Sequence, residues 1–187
     1  MNTLLINGLI VFLFSNLQLR ELLIQKNLPS SPIIKIAKDI DARSSSFRYY
    51  DLDLGVLVEE NQDWDIAFSK TTVKVNSLRT KPRQVMVQVV NQWFDSISVA
   101  PTDGYLLDTR AKTVIAPGSG NGWYLYDMGK HAILPIPERS ILLKTTDGNY
   151  VKLQILSYYR GMPELVPTED AGFYTFRYSL ANRQGHF

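Results

Sequence analysis

From Phe47 onward, apolar and polar residues alternate with a period of two along much of the chain, which predicts β-strands rather than helices. Phe47–Leu52 is the first expected strand, and Gly55 marks a turn before Val56–Val58. Trp64–Phe68 and Thr71–Asn76 alternate in the same way, and Val85–Val90 reads as another strand. Later, Asp147-Gly148 stands between Ile141–Thr145 and Tyr150–Tyr159, the dipeptide and flanks of a β-hairpin. On its second strand Val151, Leu153 and Ile155 are expected to face the core, with Lys152 and Gln154 facing water. Phe173–Leu180 should place Tyr174, Phe176, Tyr178 and Leu180 on one face and Thr175, Arg177 and Ser179 on the other.

Helical periodicity is weak beyond the N-terminus, so the fold class is all-β, an antiparallel meander or sandwich. Residues 1–30 are set apart as an apolar segment whose Thr3–Phe14 run has the length of a signal peptide rather than of a membrane span. It reads as a helix or as a degenerate signal or anchor, because no Lys or Arg precedes the run and no small-x-small cleavage site follows it. Pro29 and Pro32 break the pattern, residues 31–46 read as a linker, and 47–187 as the β domain. Ala100–Tyr105 and Ala116–Gly122 are turn-rich loops.

Composition narrows the function. Of 187 residues, 45% are hydrophobic and 20% charged, ordinary values for a globular protein. Ten Tyr, eight Phe and three Trp suit a pleated, half-buried surface. The net charge of +2 is spread along the chain without a dense basic block, which argues against a nucleic-acid partner. The basic segment Leu78–Arg83 reads as a solvated loop. No cysteine is present, so disulfides, thiolate metal sites and cysteine nucleophiles are excluded.

Enzyme motifs are missing as well. The two histidines, His131 and His186, accompany no G-x-S-x-G elbow. The glycines of Gly118–Gly122 lead into the strand-like Trp123–Tyr126 rather than a Lys-Ser/Thr helix start, so they read as a turn and not a phosphate loop. Asp63 and Asp65 flank Trp64 but lack the further oxygen ligands of a calcium loop, and are expected to face solvent or cap turns. The expectation is a non-enzymatic protein. Met128 and His131 form the close pair of soft-metal or haem-iron ligands, in a loop flanked by aromatic strands. Tyr124 and Tyr126 could stack on a porphyrin, and Lys130 could meet a propionate.

Several segments in order resemble the HmuY family of haem-binding, haemophore-like surface lipoproteins of anaerobic Gram-negative bacteria. They are Asp63–Phe68, Thr71–Asn76, Ala100–Tyr105, Gly120–Tyr126, Arg139–Tyr159 and Phe173–Tyr178, spanning roughly residues 46 to 187. The W-D-I-A-F strand, the G-N-G-W-Y strand and the T-D-G hairpin leading to L-S-Y-Y are specific in combination. The resemblance implies a cleft that grips haem between strand-end loops, haem as the bound cofactor, and its passage to an outer-membrane receptor at the cell envelope. It points to Met128 as the first axial-ligand candidate and His131 as the alternative. Met86 and Met162 are the remaining options for the second ligand. The chain departs from the pattern in carrying no lipidation Cys and in the basic Ser77–Gln84. A haem-independent interaction or structural role on the same fold is the rival expectation.

Overall fold

The structure is a computed structural model that describes residues 33–80, 83–168 and 170–187. The apolar segment expected over residues 1–30 lies outside the described residues, as do Lys81 and Pro82 of the basic loop. Eleven strands follow one another, all paired antiparallel: β1 (Ile34–Asp41), β2 (Arg48–Asp51), β3 (Val56–Val58), β4 (Ile66–Ser69), β5 (Thr72–Val75), β6 (Met86–Asn91), β7 (Tyr124–Asp127), β8 (Ala132–Pro135), β9 (Arg139–Lys144), β10 (Tyr150–Tyr159) and β11 (Ala171–Leu180). A single 3-10 turn at Phe94–Ser96 is the helical element among the described residues. The strands form a five-stranded sheet in the order β1-β11-β10-β9-β6, a four-stranded sheet in the order β3-β2-β4-β5, and a separate hairpin of β7 and β8. The expected all-β, antiparallel class is what is found.

The two larger sheets pack through aromatic side chains. Tyr50 of β2 meets Phe176 of β11 edge-on at 5.3 Å. Phe68 of β4 lies 4.6 Å from Tyr174 and 5.4 Å from Phe176. All three partners of these contacts on β4 and β11 are fully buried. Offset and tilted rings at such distances add to the large apolar area they remove from water. The β9–β10 hairpin turns where the Asp147-Gly148 pair predicts, with Gly148 at φ +85° and its N–H donating to Thr145 O at 2.9 Å.

Three expectations need correction. Residues 34–41, read as part of a linker, are strand β1, paired along β11 from Ile34↔Ser179 to Asp41↔Phe173. A bulge between Ala37 and Ile40, with Asp39 at φ +54°, moves the inward position from one phase of the alternation to the other, so the segment has no steady period. Lys152 and Gln154 do not face water. Each is about 5% exposed, because the chain around the 3-10 turn covers Lys152 and the Pro137 loop with Arg177 covers Gln154. Lys152 Nζ donates to Phe94 O at 3.1 Å and Ile97 O at 2.8 Å, and lies over the Phe94 ring. Gln154 donates to Pro137 O and accepts from Arg177 Nε.

Asp65 is the third correction. It is fully buried rather than solvent-facing, and it does cap turns: Oδ2 accepts from Leu52 N–H and Oδ1 from Thr146 N–H, both at 2.8 Å. Burial pushes its carboxyl up to about 6, with the two backbone donors pulling the other way. Its neighbour Asp63 instead forms ion pairs with Arg79 and Arg83 of the basic loop.

Candidate functional site: the β7–β8 hairpin

The hairpin grows from a buried root. At Gly122 a Cβ would collide with the Ala116 carbonyl oxygen, so the chain can pass there only as glycine. Trp123 follows, 3% exposed, its Nε1 donating to Thr71 O at 3.1 Å and its ring within 5.1 Å of Tyr174. Arg139 Nη1 donates to Gly122 O at 2.7 Å and holds the same root from β9. Beyond it, Ile133 N–H on β8 donates to Tyr159 Oη at 3.0 Å, tying the hairpin to the last residue of β10. Tyr159→Phe should weaken that anchor by about 1 kcal/mol, the net worth of one hydrogen bond. The expected sign is faster amide exchange at Ile133 with core amides unchanged; unaltered exchange at Ile133 would show that packing alone holds the hairpin.

The turn at the tip is shaped by Asp127, whose Oδ1 accepts from Gly129 N–H at 2.9 Å and Lys130 N–H at 3.0 Å. His131 closes the turn with φ +54°. Met128 is 72% exposed, and Lys130 and His131 are exposed too. Tyr126 stands beside them, 39% exposed, with Oη 3.2 Å from His131 Nδ1. If Nδ1 carries the proton and donates to Tyr126 Oη, the Nε2 lone pair is left to face a metal. A thioether, an imidazole with one nitrogen held, a half-exposed phenol ring and an ammonium thus occur within one turn.

The predicted set is not brought together as a whole. Tyr126, Met128, Lys130 and His131 gather at the tip. Tyr124 does not join them: it is 9% exposed and packs on Trp123 at 4.8 Å, because the hairpin leaves the core between these two alternate positions. Met86 is further off. It pairs with Lys144, which pairs with Tyr150 at the start of β10, while the hairpin is tied to Tyr159 at its end. The ten-residue strand between them is roughly 30 Å long at ordinary strand rise, too far for one iron. Met162 fits better in place, following β10 directly, 44% exposed, with its N–H donating to Tyr159 O.

Two other features lie away from the hairpin. Cavities of about 500 and 320 Å³ open on the four-stranded sheet, and none of the predicted site residues lines either. Oxygens of Asp51, Asp53 and Asp65 lie within 4.8 Å of one another, a cluster that sequence spacing does not reveal because it joins the end of β2, the turn after it and the residue before β4. Hydrogen bonds from Leu52, Leu54, Thr146 and Asn149 already occupy oxygens of these three carboxylates. That makes the cluster a fold staple.

With this architecture in place, comparison with solved structures is decisive for the fold. An apo HmuY analogue from Tannerella forsythia superposes with a TM-score of 0.56 at 17% identity, covering 82% of this chain and 98% of that one. The fold is HmuY-like. Apo PinO from Porphyromonas gingivitis aligns with a TM-score of 0.53 at 14% identity, over 83% of this chain and all of that one. A candidate lipoprotein of Bacteroides fragilis aligns at 0.51 and 15% identity, over 81% and 92%. No protein-family model matches the sequence, and no curated protein does either. The HmuY-like fold is therefore shared at 14–17% sequence identity.

Proposed function

We propose that this protein is a non-enzymatic haem- or porphyrin-binding protein of the bacterial cell envelope that takes part in haem acquisition. The carrying observation is the tip of the β7–β8 hairpin, where Met128 stands 72% exposed beside a His131 whose Nδ1 is engaged by Tyr126. Soft sulfur and imidazole donors suit iron, and the residues at the tip fit an axial role. Met128 would be the first ligand and His131 the alternative; Tyr126 would lie against the macrocycle and Lys130 near a propionate. Likeness to an HmuY analogue supports haem as the ligand, and likeness to a candidate lipoprotein supports the cell envelope as the location; an outer-membrane receptor would be the downstream partner.

Haemin titration followed at the Soret band tests this in both iron oxidation states. A red-shifted, saturable Soret is expected, with Met128→Ala weakening binding by about tenfold, the size of one lost coordinate or charge-assisted contact. Unchanged spectra on titration, or variants Met128→Ala and His131→Ala that bind like the wild type, would count against it. The burial of Tyr124, and cavities that lie away from the hairpin, favour a second reading: a haem-independent interaction or structural role on the same fold. A silent haemin titration would lead there.

A further inference from the structure

The outer face of the four-stranded sheet carries a group that the hairpin does not use. Tyr50, Ile66, Phe68, Val73 and Val75 fill the inner face, so strand alternation turns Tyr49, Ala67 and Lys74 outward. These three sit in one row across β2, β4 and β5, with Tyr49 paired to Ala67 and Ala67 to Lys74. Because the middle residue is only a methyl, the Lys74 stem can cross it. Its Nζ comes to 3.9 Å from the Phe47 ring centre, 5.2 Å from Tyr49 and 5.3 Å from Trp64. The rings are held in place: Trp64 Nε1 donates to Glu60 O at 3.2 Å, and Tyr49 and Trp64 pack at 4.9 Å.

Lys74 also lines the 320 Å³ cavity, together with Trp64, Val75, Leu78, Thr109 and Thr113. That volume falls in the range of small-ligand sites. Two of the other three charged lining groups have partners of their own. Asp108 accepts from Val75 N–H at 2.8 Å and Val114 N–H at 2.7 Å, and Arg79 pairs with Asp63, while Glu60 adds a second carboxylate to the wall. Lys74 forms no ion pair among the described residues. Its ammonium stands over the rings at the cavity wall, and partial burial draws it below the usual lysine range. A half-buried ammonium at a cavity wall, with no ion pair of its own, can receive an anionic ligand through a charge-assisted hydrogen bond.

We propose that this cavity binds a small organic monocarboxylate with a compact apolar body, its carboxylate on Lys74 Nζ and its body against Trp64 and Leu78. The faces of the three rings are already taken by the Lys74 charge, which disfavours a cationic ligand. Leu78 and Trp64 supply the apolar wall that a bare inorganic anion would not use.

Isothermal titration of the full chain with phenylacetate tests the assignment. One saturable site is expected, with phenylacetamide bound about tenfold more weakly because it lacks the charge-assisted hydrogen bond. Lys74→Met keeps the stem over Ala67 and should lose binding by a similar factor while leaving far-ultraviolet circular dichroism and the haemin response unchanged. The proposal is overturned if phenylacetate gives no saturable heat, if acid and amide bind alike, or if Lys74→Met binds like the wild type. Tighter binding of benzyltrimethylammonium than of phenylacetate would also overturn it, by showing a cation cage. The acid–amide comparison needs no variant, so the proposal stands testable even if Lys74→Met does not fold.

Discussion

Phe68→Ala should lower the stability of the fold by about 4 kcal/mol, the cost of emptying a ring-sized volume in a close-packed core. Phe68 has no exposed surface and sits on β4, one of the two central strands of the small sheet, against Tyr174 and Phe176 of the large one. Its ring is therefore shared between both layers. Neither can collapse into the vacancy without dragging the other, so little of the cavity is expected to relax. Against a typical total of about 5–15 kcal/mol, the loss would be visible as a large fall in the urea midpoint. Phe68→Leu should restore most of it. A loss below about 1.5 kcal/mol for Phe68→Ala would mean that the two layers do not depend on this contact.

Asp65→Ala is expected to cost about 3 kcal/mol, because it leaves the buried N–H groups of Leu52 and Thr146 without an acceptor. The same residue gives stability a distinctive pH dependence. Its carboxyl titrates from 3.8 in an ordinary setting to about 6 here, raised by burial first. In the range between those values the folded state holds a proton that the unfolded chain has released. The contribution is therefore fully present below about 4 and is lost as pH rises through about 6, a change of about 3 kcal/mol at most. Other carboxylates add their own slopes, so the quantity to measure is the difference between wild type and Asp65→Asn in urea unfolding at pH 4.5 and pH 7.5. The wild type should lose stability relative to the variant at the higher pH. A difference that is flat, or of the opposite sign, would place the Asp65 carboxyl back in the ordinary range.

How far the sequence carries the reader depends on whether a residue's environment is made by its own neighbours along the chain. The β4 and β5 strands and the β9–β10 hairpin were legible, since alternation and the Asp147-Gly148 turn are local properties. β1 was hidden because its bulge interrupts the very period that marks a strand. Lys152 and Gln154 look outward by alternation, and only distant segments, Phe94–Ile97 over Lys152 and Pro137 with Arg177 beside Gln154, turn that face inward. The burial of Asp65 and Asp108 has the same origin: their partners lie up to 81 residues away, and nothing beside them announces it. In the hairpin, spacing placed Tyr124 and Tyr126 together, whereas the boundary of the core runs between them. The Lys74 row was invisible for a related reason. It needs three strands in register and a small residue in the middle.

The root and the tip of the β7–β8 hairpin answer to different demands. Gly122, Trp123 and Tyr159 belong to the packed interior, while Met128, Lys130 and His131 touch almost nothing that the interior needs. Substitutions at the tip can then change the chemistry displayed there with little penalty in folding, whereas the same liberties at the root would cost the topology itself.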